Sequence, residues 1–428
     1  MEEFFPDHSP ISSWFYEIPK LDIEKEARQY LATDYGIVMD GSLQTKGLQK
    51  LIDEIHGNGG GVLVLPPGEV MSGALYLKQG VDLYLSKKAV LVGSPWISDF
   101  PVEETRMEGE NCLYFPALIN AKGLHGVRIF GEGCVDGRGL HYWKEFWIRR
   151  SWNPSCTNKD AQRPRLFFAD HCEDVVVCGI TMKDSPFWTN HLYQCRYVKF
   201  IGCTITSPHE PVKAPSTDGI DLDVCQDVLI KNCYIAVNDD AVVCKGGKGP
   251  WADEDPCNGS NERILIEDCT FGFCHGCLTL GSESIHNRNI LMRRVKVEES
   301  FNLLWCKLRP DTPQIYECIR LEEIQGKTAN FLNINPWRQF FDDRGRKDIP
   351  RSKVLKVSFE NCRMECDTFL NVLKDEEQYE LSEFSFSSLR MIAAKTGASY
   401  EVLGESLVED VMIEPKDEIA FPDSITTI

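Results

Sequence analysis

The chain has 428 residues, of which 43% are hydrophobic and 26% are charged, a composition typical of a globular protein and not of a disordered or fibrous one. Its formal net charge of −19 argues against a nucleic-acid-binding protein, and it means that a polyanionic ligand would need a locally basic cleft. No run of about 18 apolar residues occurs, which excludes a membrane-spanning helix.

The start of the chain lacks the basic and apolar regions of a signal peptide, since residues 1–8 are Met-Glu-Glu-Phe-Phe-Pro-Asp-His. We therefore expect a cytoplasmic protein if this is the native start. If a leader has been removed, we expect a periplasmic or secreted protein instead.

A helical pattern occurs within the first hundred residues. Leu48, Leu51 and Ile55 recur with the spacing of one helix face, and the predicted helix ends at Gly57. An amphipathic helix can cover the open end of a solenoid. We therefore predict that residues 1–100 form an N-terminal helical cap and the first coils.

Short β-rich strings recur further along the chain and are the strongest signal in the sequence. Each string alternates apolar and polar residues, as a strand with one buried face does, and Gly, Asn and Asp separate the strings. Most begin roughly 23 to 36 residues apart, a period typical of solenoids. The strings are Val175–Met182, Val198–Ile205, Val228–Ile235, Ile264–Phe271, Ile290–Val297 and Val354–Asn361.

The spacing of these strings predicts the fold. No helix-length segment lies between them, which disfavours Rossmann and TIM-barrel winding. We predict an all-β fold, a single-stranded right-handed parallel β-helix in which each coil covers the apolar face of its neighbour. Residues 101–428 are expected to form the repeat coils with the active site. No linker divides the chain convincingly, so residues 1–428 are expected to form one domain.

The eighteen cysteines are interpreted as reduced core residues. Cys203, Cys233 and Cys269 recur at corresponding places in the apolar strings, where cysteine acts as a small hydrophobic residue. Cys274 and Cys277 form a Cys-x-x-Cys pair, but no second pair accompanies it, so neither a zinc site nor a thioredoxin motif is favoured.

Acidic and cationic residues also recur about one coil apart. Asp218, Asp240, His275 and Lys307 follow one another at this interval, and Asp239 directly precedes Asp240. Residues one coil apart stack about 4.8 Å apart in a parallel β-helix, so these side chains are expected to converge on one outer face. Adjacent strand residues point to opposite faces, which places the Asp pair in a bulge or turn.

Such a group of residues suits glycoside hydrolysis. In that reaction one carboxyl group protonates the leaving oxygen while another activates a water molecule. Crowded carboxylates raise one another's pKa, which keeps an acid protonated near neutral pH. Any one of these residues alone would be interpreted as a solenoid turn residue, but their combination at coil spacing favours a catalytic site.

Four motifs at this spacing resemble the signatures of the polygalacturonase family of glycoside hydrolases, family 28. The family usually has Asn-Thr-Asp, Gly/Gln-Asp-Asp, Gly-His-Gly and Arg-Ile-Lys. The corresponding motifs are Ser216-Thr-Asp-Gly-Ile-Asp221, Asn238-Asp-Asp240, Cys274-His-Gly276 and Trp305-Cys-Lys307. The resemblance extends over about residues 34–310 and implies a parallel β-helix.

The resemblance implies a role for each matched residue. Asp239 is expected to be the general acid, and Asp218 and Asp240 are expected to hold and deprotonate the attacking water. His275 would tune the acid through a hydrogen bond, and Lys307 would bind a sugar carboxylate. The family cleaves α-linkages of pectin with inversion and needs no metal, so we expect neither a metal nor another cofactor.

One position departs from the family pattern. Trp305 stands where the family has arginine, so half of the usual uronate clamp is missing. Arg309 or Arg288 is a candidate replacement. The departure leaves room for rhamnose or another neutral sugar in the leaving-group subsite, with Trp305 stacked on it.

Two further segments are candidates for substrate binding. Trp188, Asn190 and His191 follow a strand one coil before Asp218, where they can wall a subsite. Trp188 either covers a sugar face or packs in the core. Lys245 follows the Asp pair and can supply a positive field that the acidic chain otherwise lacks.

The favoured function is that of an inverting glycoside hydrolase that removes α-linked galacturonate from pectic poly- or oligosaccharide. Insertions at 103–111 and 141–162 suggest a closed pocket, and hence an exo-polygalacturonase or α-galacturonidase. A rhamnogalacturonan hydrolase or rhamnohydrolase of the same family is the alternative. A calcium-assisted pectate lyase and a non-catalytic β-helix binding module remain open from other classes. The expected partner is the pectic saccharide, with no nucleic acid and no membrane.

Overall fold

The computed structural model describes residues 3–26 and 28–416, which coil into a right-handed parallel β-helix. Thirty strands join one continuous ladder of parallel pairs on three faces, here called sheets 1, 2 and 3. The predicted all-β solenoid is confirmed. Among the described residues no helix is both long and apolar enough to cross a membrane.

Each coil between residues 61 and 280 contributes one strand to each sheet, whereas the first coil has the helix Thr45–Gly57 in place of a sheet 3 strand. The strands that belong to sheet 1 alone are Gln29–Leu31, Gly61–Leu65, Val81–Leu85, His125–Gly131, Glu173–Cys178, Arg196–Ile201, Gln226–Lys231, Ser260–Glu267 and Ser352–Glu360. Those of sheet 2 are Asp40–Leu43, Gly68–Ser72, Ala89–Gly93, Cys134–Asp136, Thr181–Lys183, Thr204–Thr206, Tyr234–Ala236 and Thr270–Phe271. Those of sheet 3 are Leu75–Tyr76, Ile119–Lys122, Phe167–Asp170, Asn190–Tyr193, Ile220–Asp223, Val242–Lys245, Gly276–Leu280 and Asn302–Leu308.

Towards the C-terminus the strands run through the corners of the coil and serve two or three sheets. They are His286–Val297, Ile315–Pro336, Arg363–Val372, Tyr379–Gly397 and Ser406–Pro415. The helices are Thr45–Gly57 and Leu140–Trp152, with short 3-10 turns at Ser13–Tyr16, Ile23–Lys25, Ala32–Tyr35, Ile97–Asp99 and Tyr400–Leu403.

Strand alternation separates the core from the outer face. In sheet 3 the inward residues Leu192, Leu222, Cys244 and Leu280 lie in register and are buried. Cysteine fills such columns as a small apolar residue, and all eighteen cysteines are free thiols. The residues between them face outward, which places polar side chains of successive coils side by side.

The predicted N-terminal helix, Thr45–Gly57, covers the first strands of the solenoid. The buried side chains Leu48, Leu51, Ile52 and Ile55 join the same core cluster as the first strands. Because the first coil has no preceding coil to cover it, this apolar helix face closes the open end of the solenoid.

Two insertions flank the outer face of sheet 3. The first is an antiparallel hairpin, Glu103–Met107 and Glu110–Tyr114, whose Arg106 lies 2.9 Å from Asp223 on the sheet. The second is the helix Leu140–Trp152, from which the Trp143 indole donates a hydrogen bond to the Ser185 carbonyl at 3.0 Å. Both insertions pack against the sheet and narrow the space above it.

Candidate active site

The outer face of sheet 3 brings together the residues that were expected to converge. Asp218, Asp239, Asp240 and His275 lie in the turns that lead into three successive strands, and Lys307 lies on the strand after them. Parallel stacking therefore assembles one site from four coils. Asp239 and Asp240 occupy a bend, which allows both side chains to reach the same site.

Three carboxyl groups form the centre of the site. One oxygen each from Asp218, Asp239 and Asp240 lies within 4.8 Å of the other two. The backbone N–H of Asp240 donates to Oδ1 of Asp239 at 3.1 Å. Carboxylates this close repel one another when all are ionised, so the site favours the retention of a proton.

Two buried lysines neutralise part of this negative charge. Lys307 Nζ lies 2.7 Å from Oδ2 of Asp240. Lys245 Nζ lies 3.6 Å from Asp218, 3.5 Å from Asp221 and 3.7 Å from Glu283. Both ammonium groups are thus held between carboxylates, and neither extends freely into solvent.

The carboxyl groups titrate in opposite directions. Burial and the neighbouring Asp239 charge raise the pKa of Asp218 to about 8, although Lys245 opposes this rise. Burial would also raise the pKa of Asp239, but the His275 interaction and the Lys307 charge outweigh burial and lower that pKa to about 2. Near neutral pH the shared proton therefore resides on Asp218, while Asp239 is ionised.

His275 is held beside Asp239 by aromatic packing and a close backbone approach. Its Nδ1 lies 3.5 Å from Oδ1 of Asp239, and its ring stacks on Phe301 with centroids 5.3 Å apart. Burial disfavours the imidazolium, but the Asp239 carboxylate outweighs burial and raises the pKa of His275. A Cβ at Gly276 would lie 3.0 Å from Oδ1 of Asp240, so glycine after the histidine keeps this carboxyl in place.

A cavity of about 210 Å³ opens over these groups. The sheet forms its floor, the hairpin tip and the segment 150–158 contribute one part of the wall, and the segment 337–340 contributes another. The lining residues are Glu108, Arg150, Asn158, Trp188, Ser216, Asp218, Asp239, Asp240, Lys245, Lys248, His275, Gly281, Ser282, Glu283, Trp305, Lys307, Trp337, Gln339 and Phe340.

Three of the residues expected to bind substrate line this cavity besides Lys307. Trp305 packs edge-on against Trp337 at 5.6 Å, and the Lys307 ammonium lies 4.1 Å from the centre of the Trp305 ring. Trp188 packs on Phe187, with ring centroids 4.9 Å apart, and also lines the cavity. The Lys245 ammonium lies 4.7 Å from the centre of the Trp188 ring.

Arg309 requires a correction, because the structure does not bring it to the cavity. Its guanidinium is buried, makes two 2.7 Å bonds to Asp311, and donates to the carbonyls of Gln339 and Phe340 at 3.1 and 3.0 Å. The Arg309 guanidinium therefore holds the segment 337–340, which forms part of the cavity wall, and does not face the cavity itself. Arg288, the other candidate for the missing clamp, pairs instead with Asp7 at 3.0 Å on a different sheet.

Asn190 and His191 also require a correction, because both are fully buried and neither lines the cavity. The Asn190 amide donates to the Gly219 carbonyl at 2.9 Å, next to Asp218, and so positions that turn. His191 lies 3.4 Å from Asp223 and 2.7 Å from Arg165. Burial, with the nearby arginine charges, lowers the pKa of His191 to about 4 and keeps the ring neutral.

Several lining residues were missed by the sequence analysis. Glu108, Arg150 and Asn158 come from the two insertions, and Trp337 comes from a segment beyond the last matched motif. Glu283 lies in the turn after strand Gly276–Leu280, and Lys245 ends the strand Val242–Lys245 that pairs with it. This position one coil later is the one signal that could have identified Glu283.

The region that carries this site is similar to known glycoside hydrolases. Residues 101–308 match the family model of glycosyl hydrolases family 28. A probable polygalacturonase of Vitis vinifera is 32% identical over 243 residues, covering 54% of this chain and 47% of the relative. A probable exopolygalacturonase B of Emericella nidulans is 32% identical over 120 residues, covering 28% of this chain and 27% of the relative. The chain thus matches about half or less of the length of these curated relatives.

A solved structure has a similar fold. An exopolygalacturonase from Thermotoga maritima superposes with a TM-score of 0.73 at 20% identity, covering 91% of this chain and 92% of that chain. At this identity the likeness shows a common fold. The family match is independent of it and contains every residue from Asp218 to Lys307. Residues 101–308, which carry the four motifs, are thus similar to glycosyl hydrolases family 28, and the chain resembles polygalacturonases over this region.

Proposed function

We propose that this protein is an exo-acting glycoside hydrolase that removes α-linked galacturonate from the end of a pectic poly- or oligosaccharide. The observation that carries the proposal is the meeting of three carboxyl groups with His275 and Lys307 in one walled cavity of a family 28 β-helix. The relatives named as polygalacturonase and exopolygalacturonase favour galacturonate, rather than rhamnose, as the sugar released.

Exo action is supported by the wall that the two insertions form. Glu108 at the hairpin tip lines the cavity together with Arg150 and Asn158. The tip packs tightly, since a Cβ at Gly109 would lie 2.9 Å from the carbonyl carbon of Gly247. A polymer lying along sheet 3 would meet this wall, so a chain end enters more readily than an internal segment.

The proposed reaction needs one acid and one base. Asp239 gives a proton to the glycosidic oxygen as the bond to the sugar breaks, and Asp218 and Asp240 orient a water molecule and take its proton. Near neutral pH the proton lies on Asp218 and Asp239 is ionised. The proton must therefore reach Asp239 across a separation of less than 4.8 Å before the leaving oxygen departs.

The aglycone is proposed to lie against the aromatic corner of the cavity. Trp305 and Trp337, at an interplanar angle of 76°, belong to coils that follow the carboxylates. The Leu140–Trp152 helix lies on the side of the earlier coils, and the hairpin tip lies beside Gly247 and Glu283, in the loops of the coils that carry Asp240 and His275. The released sugar would then lie between these insertions and the carboxylates, with the remaining saccharide on the tryptophans.

A pectate lyase or a binding module would use the same fold differently. A lyase needs a calcium ion among carboxylates, but here Lys307 lies 2.7 Å from Asp240 and Lys245 lies 3.6 Å from Asp218, in the space that such a cation needs. A lyase would release unsaturated uronides that absorb ultraviolet light and would stop with a chelator. A binding module would bind pectic saccharides without any turnover.

The deciding experiment is a product profile on polygalacturonate, short oligogalacturonates and rhamnogalacturonan oligosaccharides. We expect free galacturonate as the first product, with reducing ends rising before viscosity falls. Viscosity that falls first would contradict exo action, and released rhamnose would favour the rhamnohydrolase. Because oxygens within 4.8 Å are closer than the roughly 6.5–9.5 Å usual for inverting pairs, proton NMR of the first anomer must establish the stereochemistry.

A further inference from the structure

Four Lys and Arg side chains line the cavity, but two of them are already engaged. Lys245 and Lys307 are held by carboxylates, as described above. The other two, Arg150 and Lys248, have no ion pair within 4.0 Å in the described part of the chain, and both are half-buried. These two cations remain available to an anionic ligand.

Both cations are carried by elements that wall the cavity. Arg150 lies in the last turn of helix Leu140–Trp152, with its guanidinium 5.2 Å from the centre of the Phe146 ring. Lys248 lies in the loop after Val242–Lys245, where its backbone N would be 3.0 Å from a Cβ at Gly109. The loop after Val242–Lys245 therefore packs directly against the hairpin tip at Gly109.

The charge balance of the lining favours an anion. Two carboxylates besides the catalytic group face the cavity: Glu108, which accepts from the Asn158 amide at 2.8 Å, and Glu283, which lies 3.7 Å from Lys245. With Asp218 protonated, four lining carboxylates face four Lys and Arg cations. The lining is thus close to neutral within a chain whose formal net charge is −19, and its two cations without an ion pair are left for an anion.

We infer that Arg150 and Lys248 recognise the carboxylate of the uronate that the enzyme removes. This inference rests on the proposed function. A guanidinium can bind a carboxylate through two parallel hydrogen bonds, and such charge-assisted bonds are stronger than neutral ones. Lys248 adds a second positive charge. On the aglycone side, Trp305 contributes no charge where the family has an arginine.

The test compares Arg150→Gln and Lys248→Gln with two matched controls. Arg149→Gln removes the neighbouring arginine, which pairs with Glu145 at 2.9 Å and does not line the cavity. Lys213→Gln removes an exposed lysine that likewise lies outside the lining. The substrates are short oligogalacturonates and the same oligosaccharides with their carboxyl groups reduced to alcohols.

We expect each cavity variant to raise KM for oligogalacturonates about tenfold or more, the usual scale for a lost charged hydrogen bond. KM for the reduced oligosaccharides should change less than about twofold, and neither control should change either value. Equal losses on both substrates would mean that the residues only shape the cavity and would overturn the inference, as would no loss on either.

Calorimetric binding separates this inference from the proposed function. The titration uses oligogalacturonates and an Asp239→Asn background, in which turnover is suppressed. If the unaltered protein releases no sugar, the proposed function fails. A selective loss of binding in the Arg150 and Lys248 variants would still support the carboxylate site, and unchanged binding would refute it.

Discussion

Asp218 and Asp239 hold opposite protonation states although their carboxyl oxygens lie within 4.8 Å of each other. The difference arises from their neighbours, because Asp239 faces His275 whereas Asp218 is buried beside another carboxylate. The two groups share one proton, so a titration will report the pair and not either residue alone. The residue that holds the proton near neutral pH is thus not the acid that the resemblance implies.

Replacing Asp239 tests that acid directly. Asp239→Asn keeps the shape of the side chain but removes the proton donor, so we expect turnover to fall by at least about a hundredfold, the lower range for lost acid catalysis. The measurement is kcat on oligogalacturonate, with Asp253→Asn on the surface as the matched control. A near-native rate for Asp239→Asn would remove Asp239 from the mechanism.

The shared proton also predicts a pH dependence. Burial raises the pKa of Asp218 to about 8, so kcat/KM should fall as the pH rises through about 8, because the trio then loses its proton. The folded pKa lies above the unfolded value of roughly 3.9, so this carboxyl makes folding less favourable as the pH rises from about 4 to about 8. A profile of kcat/KM that stays flat to pH 9 would contradict this assignment.

At the scale of elements, the sequence predicts strands better than it predicts what lies above them. The alternation in Val228–Ile235 predicts Gln226–Lys231 and Tyr234–Ala236, because coil stacking constrains each apolar position. The same stacking predicts the convergence of Asp218 and His275. His191 also faces outward, but Arg106 and Arg165 from other segments cover it, and no coil spacing predicts which outer positions an insertion will cover.

Arg309 shows how a turn residue acts on the site through another segment. Arg309→Met would remove its bonds to Asp311 and to the carbonyls of Gln339 and Phe340, which line the cavity. Leaving the buried Asp311 unpaired should lower the free energy of unfolding by about 3–5 kcal/mol.

A positioning role for Arg309 makes a distinct kinetic prediction. KM should rise equally for oligogalacturonates and for their carboxyl-reduced forms. The lining residues of the loosened segment, Trp337, Gln339 and Phe340, are uncharged and so cannot distinguish the two substrates by charge. Arg390→Gln, which removes an exposed arginine 2.9 Å from Asp410 and far from the cavity lining, is the matched control. A loss confined to the charged substrate would show instead that Arg309 binds the carboxylate directly.

At the scale of the whole molecule, residues 3–26 run along the outer face of sheet 1 and join coils that are distant in sequence. Phe5, Ile11 and Phe15 pack on outward-facing leucines of three successive coils, Leu229, Leu265 and Leu291. The Lys199 ammonium donates to the Trp14 carbonyl at 2.7 Å and lies 4.2 Å from the centre of the Trp14 ring. This segment covers apolar surface that a bare solenoid would expose.

Phe15→Ala tests whether this segment stabilises the coils without taking part in catalysis. Phe15 is 1% exposed and packs against Phe5 at 5.4 Å, and truncation of a buried phenylalanine usually costs about 3–5 kcal/mol. The loss should appear first as local detachment, because the segment is held by side chains and not by the strand ladder. We expect faster proteolytic cleavage within residues 3–26 and a lower melting temperature, with kcat at 25 °C unchanged since the cavity lies on sheet 3. Ile18→Ala, at a side chain that is 40% exposed, should behave like the unaltered protein. If both variants were cleaved at the same rate, the apolar contacts of Phe15 would not be what holds the segment in place.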